Sequence, residues 1–187
     1  MTEFLISGIP ELFFLTLAFI CGGGERFAAI LAAALVHEFG HVCTAMALGV
    51  KMRLCRTGIA GVSIRYDFST VSHFREAAIC IAGPLTGIVV FLLCHKNGST
   101  SYFAGASAAL ALFNLLPVSY LDGGCVLSAL LSCILSPDTV WRICRVLSVI
   151  FTLGIWCTAV FVMMRCGGDI SVMAVSIYLI YRLFSEY

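Results

Sequence analysis

Long apolar runs dominate the hydrophobic pattern of this chain. Three of them, residues 77–94, 101–121 and 146–164, contain no charged residue. Because a helix needs about 20 predominantly apolar residues to cross a bilayer, each run predicts a membrane span. Together with weaker runs on either side, the pattern predicts an all-α polytopic membrane protein with about six transmembrane helices, at 4–21, 26–49, 74–95, 101–131, 140–164 and 169–186.

The composition points to the same class of protein. Hydrophobic residues make up 61% of the 187 residues and charged residues 11%, whereas a soluble domain carries roughly 25% charged residues. The net charge of +1 argues against nucleic acid as a direct partner. Since no linker, low-complexity stretch or internal repeat divides the sequence, we expect a single domain over residues 1–187, with a motif-bearing core at about 26–135.

The segment between the second and third predicted helices has a different period. Val62, Ile64 and Tyr66 alternate with polar residues, and Met52 and Leu54 do the same. A period of two is typical of a half-buried strand, so residues 51–67 predict a short β-hairpin at the cytoplasmic face of the membrane. An irregular amphipathic loop is the alternative interpretation of this segment.

Basic residues are distributed unequally between the two sides of the six predicted helices. With the N-terminus in the cytoplasm, three basic residues fall outside and eight fall on or near the cytoplasmic side, which is the side that Lys and Arg favour. We therefore expect a multi-pass protein of the cell membrane with both termini in the cytoplasm. The eight residues are Lys51, Arg53, Arg56, Arg65, Arg75, Arg142, Arg145 and Arg182.

The ten cysteines do not have the spacing of a metal or redox motif, because no C-x-x-C pair occurs. Most of them lie inside apolar segments, where a free cysteine behaves as a small hydrophobic residue. We expect them to be reduced packing residues; they include Cys43, Cys80, Cys133, Cys144 and Cys157.

Ionisable residues interrupt the second apolar segment. His37 and His41 lie one helical turn apart, and Glu38 lies about 100° from His37 on the adjoining flank. Two imidazoles on one face can hold Zn²⁺, while the glutamate can reach a water on that metal without being a ligand. Charged groups inside a bilayer are costly, which favours a functional role over simple packing and hydrogen bonding between helices.

A catalytic zinc usually takes three protein ligands, and the fourth predicted segment offers a third candidate. Pro117 lacks a backbone donor and should break the helix there. Asp122 follows that break and is next to Gly123 and Gly124, which permit close approach by another backbone. A plain helix N-cap is the alternative role for Asp122.

These motifs carry a resemblance to a known family. H-E-F-G-H at 37–41, followed by N-x-x-P-x-x-x-x-D-G at 114–123, resembles the site-2 protease family of intramembrane zinc metalloproteases, and Ala82-Gly83-Pro84 resembles a further family motif. The chain is similar to compact bacterial members that process a sporulation sigma-factor precursor.

The resemblance implies a site and a reaction. One Zn²⁺ per chain would be held by His37, His41 and Asp122, with Glu38 as general base and Asn114 as a substrate-binding residue. The reaction would be hydrolysis of a peptide bond in or near the membrane segment of a membrane-associated protein, such as a regulatory or sigma-factor precursor. The expected partners are that substrate, the lipid bilayer and a regulatory membrane protein.

The same residues also raise one expectation about substrate binding and two functions that compete with the protease. A substrate must unwind to expose its carbonyl groups, and we expect it to add as a strand to the predicted hairpin near Val62 or Ile64. A membrane metal-ion transporter with a His/Asp site is the competing function, and an inactive relative that only binds partners is a further one. The collection of the intramembrane polar groups at one place favours the protease over the transporter.

Overall fold

The described residues form five helices and three strands. The computed structural model describes residues 5–6, 9–56, 62–66, 71–96, 101–166 and 180. In chain order the elements are β1 (Leu5–Ile6), α1 (Ile9–Ala47), β2 (Met52–Arg56), β3 (Val62–Tyr66), α2 (His73–Cys94), α3 (Ser101–Asn114), α4 (Asp122–Ser132) and α5 (Pro137–Cys166).

The expectation of about six spanning helices is wrong for the part of the chain that the structure describes. Three helical stretches are long and apolar enough to cross a membrane, namely Glu25–Ala47, His73–Cys94 and Pro137–Phe161. The first two predicted segments join in the single helix α1, and the fourth divides into α3 and α4. Apart from residue 180, the sixth predicted segment, 169–186, lies outside the described residues.

Both differences have a local cause. The boundaries predicted for the first two segments leave residues 22–25 as a connection, yet α1 continues through its three glycines. A glycine inside a helix costs only about 1 kcal/mol relative to alanine, which weakens the helix without ending it. Residues 115–121, which contain Pro117, separate α3 from α4, as the sequence predicts. The break leaves α4 with 11 residues, which make it a short apolar helix.

The three strands form one antiparallel sheet in the order β1-β3-β2. Strands β2 and β3 lie within the segment predicted as a two-stranded hairpin, and the correction is that a third strand, β1 from far earlier in the chain, pairs with the other edge of β3. Ile64 pairs with Leu54 on one side and with Ile6 on the other. Ile64 is therefore paired on both sides in this structure, and the addition of a substrate strand to this sheet stays a prediction.

Helix α2 is the central element of the helical bundle, since it packs against α1, α3 and α4. Its Ile79 and Cys80 lie in a core cluster with Ala45 near the end of α1, Val50 just after that helix, and Cys125 from α4. The outer faces of the helices carry large apolar side chains, as expected of surfaces that face lipid; among them are Leu35, Phe39, Leu93, Leu112, Ile150 and Phe161. The three helical stretches that are long and apolar enough to cross a bilayer make this a membrane protein.

The cysteine expectation is wrong for one pair. Cys80 of α2 and Cys125 of α4 form a disulfide, with both side chains buried and Cα atoms 6.1 Å apart. The pair could not be predicted from the sequence, because 45 residues separate the two cysteines and no spacing motif connects them. The free cysteines among the described side chains are Cys43, Cys94, Cys133, Cys144 and Cys157.

Candidate metal centre

Three ionisable side chains from two helices meet in the interior of the bundle. His37 and His41 come from α1, and Asp122 is the first residue of α4. The Nε2 atom of His37 lies 3.0 Å from Oδ2 of Asp122, and Nε2 of His41 lies 3.2 Å from the same oxygen. The two Nε2 atoms are 3.3 Å apart. All three residues are buried, with at most 5% of their surface exposed.

The spacing of these three atoms suits a zinc ion. Ligand atoms placed tetrahedrally at about 2.1 Å from zinc lie about 3.4 Å from one another. The observed separations of 3.0, 3.2 and 3.3 Å are close to that value. Two imidazole nitrogens and one carboxylate oxygen are a donor set that zinc prefers, and a fourth position stays open for water or substrate. The residues therefore fit the metal that the sequence motifs imply.

The ring of His41 is held in place by helix α2. Its Nδ1 donates a hydrogen bond of 2.7 Å to the backbone carbonyl of Ile79. Because a carbonyl only accepts, the proton is on Nδ1 and the lone pair of Nε2 faces the cluster, as a metal ligand requires. Gly83, one turn further along α2, lies against the same ring, and a Cβ at this position would collide with three of its atoms.

The ring of His37 has no backbone hydrogen bond like that of His41 among the described residues. Its buried Nδ1 has no hydrogen-bond partner among the described residues. The side-chain amide nitrogen of Asn114, the last residue of α3, lies 3.5 Å from its Nε2. Asn114 therefore faces the cluster from the end of the helix that precedes the break, and its amide can donate to a group bound there.

Asp122 does not act as an N-cap. Leu121 is the N-cap residue of α4 and makes no side-chain capping bond, while the carboxylate of Asp122 contacts the two histidines. A negative charge in the first turn is favoured by the helix dipole, so α4 stabilises the ionised form of this side chain.

Glu38 is partly buried and follows His37 on α1. Its helical position places it on the flank beside the histidine face, outside the group of three converging ligand atoms. The structure thus brings together His37, His41, Asp122 and Asn114 and keeps Glu38 adjacent to them.

Sequence reasoning missed the residues that hold the break between α3 and α4 in place. Ser148 and Thr152 of α5 contact Ser119 and Tyr120 of that break. The signal was available, because Ser148 and Thr152 are polar residues one turn apart within an apolar run. The carbonyl of Ile79 carried no signal, since every residue has one.

The relatives of this chain are named as metalloproteases. No protein-family model matches it. A Synechocystis sp. protein that carries the name of a zinc metalloprotease is 29% identical over 112 residues, which are 54% of this chain and 30% of that protein. The zinc metalloprotease of Methanocaldococcus jannaschii is 32% identical over 118 residues, 57% of this chain and 34% of that protein. The chain thus spans about a third of the length of the curated relatives it matches.

A solved structure covers much more of the chain. The site-2 protease from Methanocaldococcus jannaschii aligns with a TM-score of 0.67 at 22% identity, covering 95% of this chain and 87% of that one. The chain therefore has the fold of a site-2 protease.

Proposed function

We propose that this protein is a zinc-dependent intramembrane endopeptidase of the site-2 protease type. The observation that carries the proposal is the convergence of His37, His41 and Asp122 inside apolar helices of that fold. Burying two imidazoles and a carboxylate away from water is costly unless they bind each other or a metal. The names of the two relatives and of the solved structure support the same activity.

One Zn²⁺ per chain would be held by His37, His41 and Asp122. It would supply Lewis-acid chemistry, which polarises a carbonyl group and makes water a better nucleophile at neutral pH. The protein's own part is to hold three ligands at tetrahedral spacing and to leave the fourth position open. His41 is the most firmly oriented ligand, because its other nitrogen is bonded to Ile79.

Glu38 is the general base of this proposal. It takes the proton from the attacking water and passes it to the leaving amine, a contribution typically worth 10²–10⁴-fold in rate. It follows His37 on α1 and lies outside the group of three converging ligand atoms. Asn114 donates its amide to the substrate backbone or to the oxygen that becomes negative during hydrolysis.

The substrate class follows from the depth of the site. His37 lies ten residues before the end of α1, and Asp122 lies ten residues before the end of α4. At a rise of 1.5 Å per residue the cluster is about 15 Å from these helix ends, which is half of a hydrocarbon core about 30 Å thick. The substrate is therefore a protein whose cleaved segment enters the membrane and unwinds there.

Basic residues next to the described helices indicate which helix ends face the cytoplasm. Lys51, Arg53 and Arg56 follow α1, and Arg142 and Arg145 lie in the first turns of α5. The positive-inside rule places these helix ends on the cytoplasmic side. That both termini are cytoplasmic stays a prediction, because residues 1–4 and 181–187 lie outside the described part of the chain. A sigma-factor precursor as substrate, a sporulation role and a regulatory membrane partner likewise rest on the sequence resemblance alone.

The test compares the membrane proteomes of cells that carry the native protein, Glu38→Gln or Glu25→Gln. Glu38→Gln should retain zinc and lose the base, so an uncut membrane protein should accumulate. Glu25, exposed on the same helix, provides the matched control, and its variant should behave as the native protein. Absence of any accumulating protein, together with a shift in cellular metal content, would favour the transporter and overturn the proposal.

A further inference from the structure

Helix α5 carries two fully buried hydroxyl groups. Ser148 and Thr152 are each 0% exposed, although the run of residues 146–164 around them contains no charged residue. Residues four positions apart lie on the same face of a helix, so both hydroxyls point in one direction. A buried hydroxyl is costly without partners, and each of the two has a partner in residues 115–121, the connection between α3 and α4.

The hydrogen bonds of Ser148 can be assigned completely. Its Oγ lies 2.7 Å from the carbonyl oxygen of Cys144, which can only accept, so the Ser148 hydroxyl proton is donated there. The backbone N–H of Ser119 donates to the same Oγ at 2.8 Å. The hydroxyl of Ser119, also at 2.8 Å, must therefore be the donor in its contact. One proton and two lone pairs of Ser148 are all used.

A second bond lies one turn along α5. The hydroxyl of Tyr120 is 3.2 Å from Oγ1 of Thr152. Two consecutive residues of the connection are thus bonded to two consecutive turns of the same helix face.

The connection is packed directly on the start of α4. A Cβ at Gly123 would collide with the carbonyl of Leu115, and one at Gly124 would collide with the carbonyl of Val118. The backbone N–H of Leu121 donates to Val118 at 2.8 Å. Because no side chain separates the connection from the first turn of α4, a displacement of Ser119 is transmitted to Asp122.

We infer that Ser148 and Thr152 are positioning residues that set the place of Asp122 and Asn114 through their bonds to the 115–121 connection. Removing the Ser148 hydroxyl leaves the Ser119 N–H without this acceptor. The connection must then shift to satisfy it, and Asp122 shifts with it. This inference rests on the proposed zinc site.

The experiment measures zinc release from the purified full chain in detergent micelles, using a chelating dye as the zinc acceptor. Ser148→Ala should release zinc about tenfold faster, the lower end of the range for residues that orient metal ligands. Thr152→Val, which keeps the shape and removes the hydroxyl, should shift release in the same direction. Thr158→Ala should leave it unchanged, because among the described residues this exposed hydroxyl donates to the carbonyl of Gly154 in its own helix.

A destabilised control separates positioning from a general loss of stability. Val140 is buried on α5, so Val140→Ala leaves a cavity and lowers the unfolding temperature without removing a hydrogen bond to the connection. The inference holds if Ser148→Ala speeds zinc release and Val140→Ala does not. Equal acceleration in both variants, or native release from Ser148→Ala, overturns it. Failure of the native protein to bind zinc would instead overturn the proposed function.

Discussion

His37 and Asp122 are in contact at 3.0 Å, although 85 positions separate them in the chain. The contact exists because α2 packs against both α1 and α4 and brings the last third of α1 to the start of α4. An ionised carboxylate in an apolar interior is costly unless its charge is compensated. A divalent metal held by His37, His41 and Asp122 would supply that compensation, which is the physical reason for expecting the site to bind one in the cell.

Replacing the Asp122 carboxylate should therefore remove the metal. Asp122→Asn keeps the size of the side chain and loses its charge, so zinc affinity should fall by more than about 100-fold, beyond the usual effect of an outer-shell substitution. The measurement is zinc bound per chain by elemental analysis after purification. Asp138→Asn, an exposed acidic residue in the first turn of α5, is the matched control. Full zinc content in Asp122→Asn would contradict the proposed ligand set.

Metal removal should stop cleavage, and one class of metal should restore it. Two imidazoles and a carboxylate prefer zinc and related transition metals over Mg²⁺ or Ca²⁺, which favour all-oxygen sites. Treatment of the purified protein with a chelator should abolish cleavage of a reconstituted substrate in vesicles. Added Zn²⁺ should restore it and added Mg²⁺ should not. Equal recovery with Mg²⁺ would be inconsistent with a His/His/Asp centre.

Asn114 should affect the rate and leave the metal in place. Its amide faces His37 from the end of α3 without being one of the three converging ligands. Loss of a donor to a developing negative charge typically costs 10²–10³-fold in turnover. Asn114→Ala should therefore lower cleavage on the order of 10²-fold at unchanged zinc content. Loss of zinc in parallel with activity would reassign Asn114 to metal binding or folding.

The residues of the candidate site could be named from the sequence because ionisable side chains are conspicuous in apolar runs. His37 and His41 have a separation that a helix turns into a shared face, and Asp122 follows a proline that must interrupt a helix. Each of these signals is local. The structure places these residues together, and their chemical roles stay a proposal.

The features that sequence reasoning missed depend on distant partners. The pairing of Leu5–Ile6 with β3 joins strands almost 60 residues apart, and no short-range pattern indicates it. Cys80 and Cys125 look like packing residues until α2 and α4 are brought together. The continuity of α1 through Gly22–Gly24 was missed because glycine weakens a helix without ending it.

Gly83 should be intolerant of any side chain. The ring of His41 occupies the space where a Cβ would lie, so Gly83→Ala must displace either the ring or helix α2. Overpacking of this kind typically costs 1–3 kcal/mol, and here it also moves a metal ligand. The temperature of thermal unfolding and the zinc content per chain should both fall. Gly154→Ala is the matched control, because a Cβ there meets no atom within 4 Å. Equal behaviour of the two variants would contradict the packing of His41 on Gly83.

The disulfide between Cys80 and Cys125 makes a separate prediction about the same region. Cys80 follows the residue whose carbonyl orients His41, and Cys125 lies one turn after Asp122. The disulfide therefore connects α2, whose Ile79 carbonyl orients His41, to α4, which carries Asp122. Protein purified without reductant and alkylated after unfolding should yield a linked Cys80–Cys125 peptide by mass spectrometry, while the buried free Cys144 should be alkylated.

Cutting this link should weaken the bundle at the metal centre. A disulfide typically contributes 2–4 kcal/mol to the free energy of unfolding. Cys125→Ala should accordingly lower the unfolding temperature more than Cys144→Ala, which removes a buried thiol of the same size from α5. Alkylation of both Cys80 and Cys125 without reductant would contradict the link. In that case the two side chains act only as packing residues between α2 and α4.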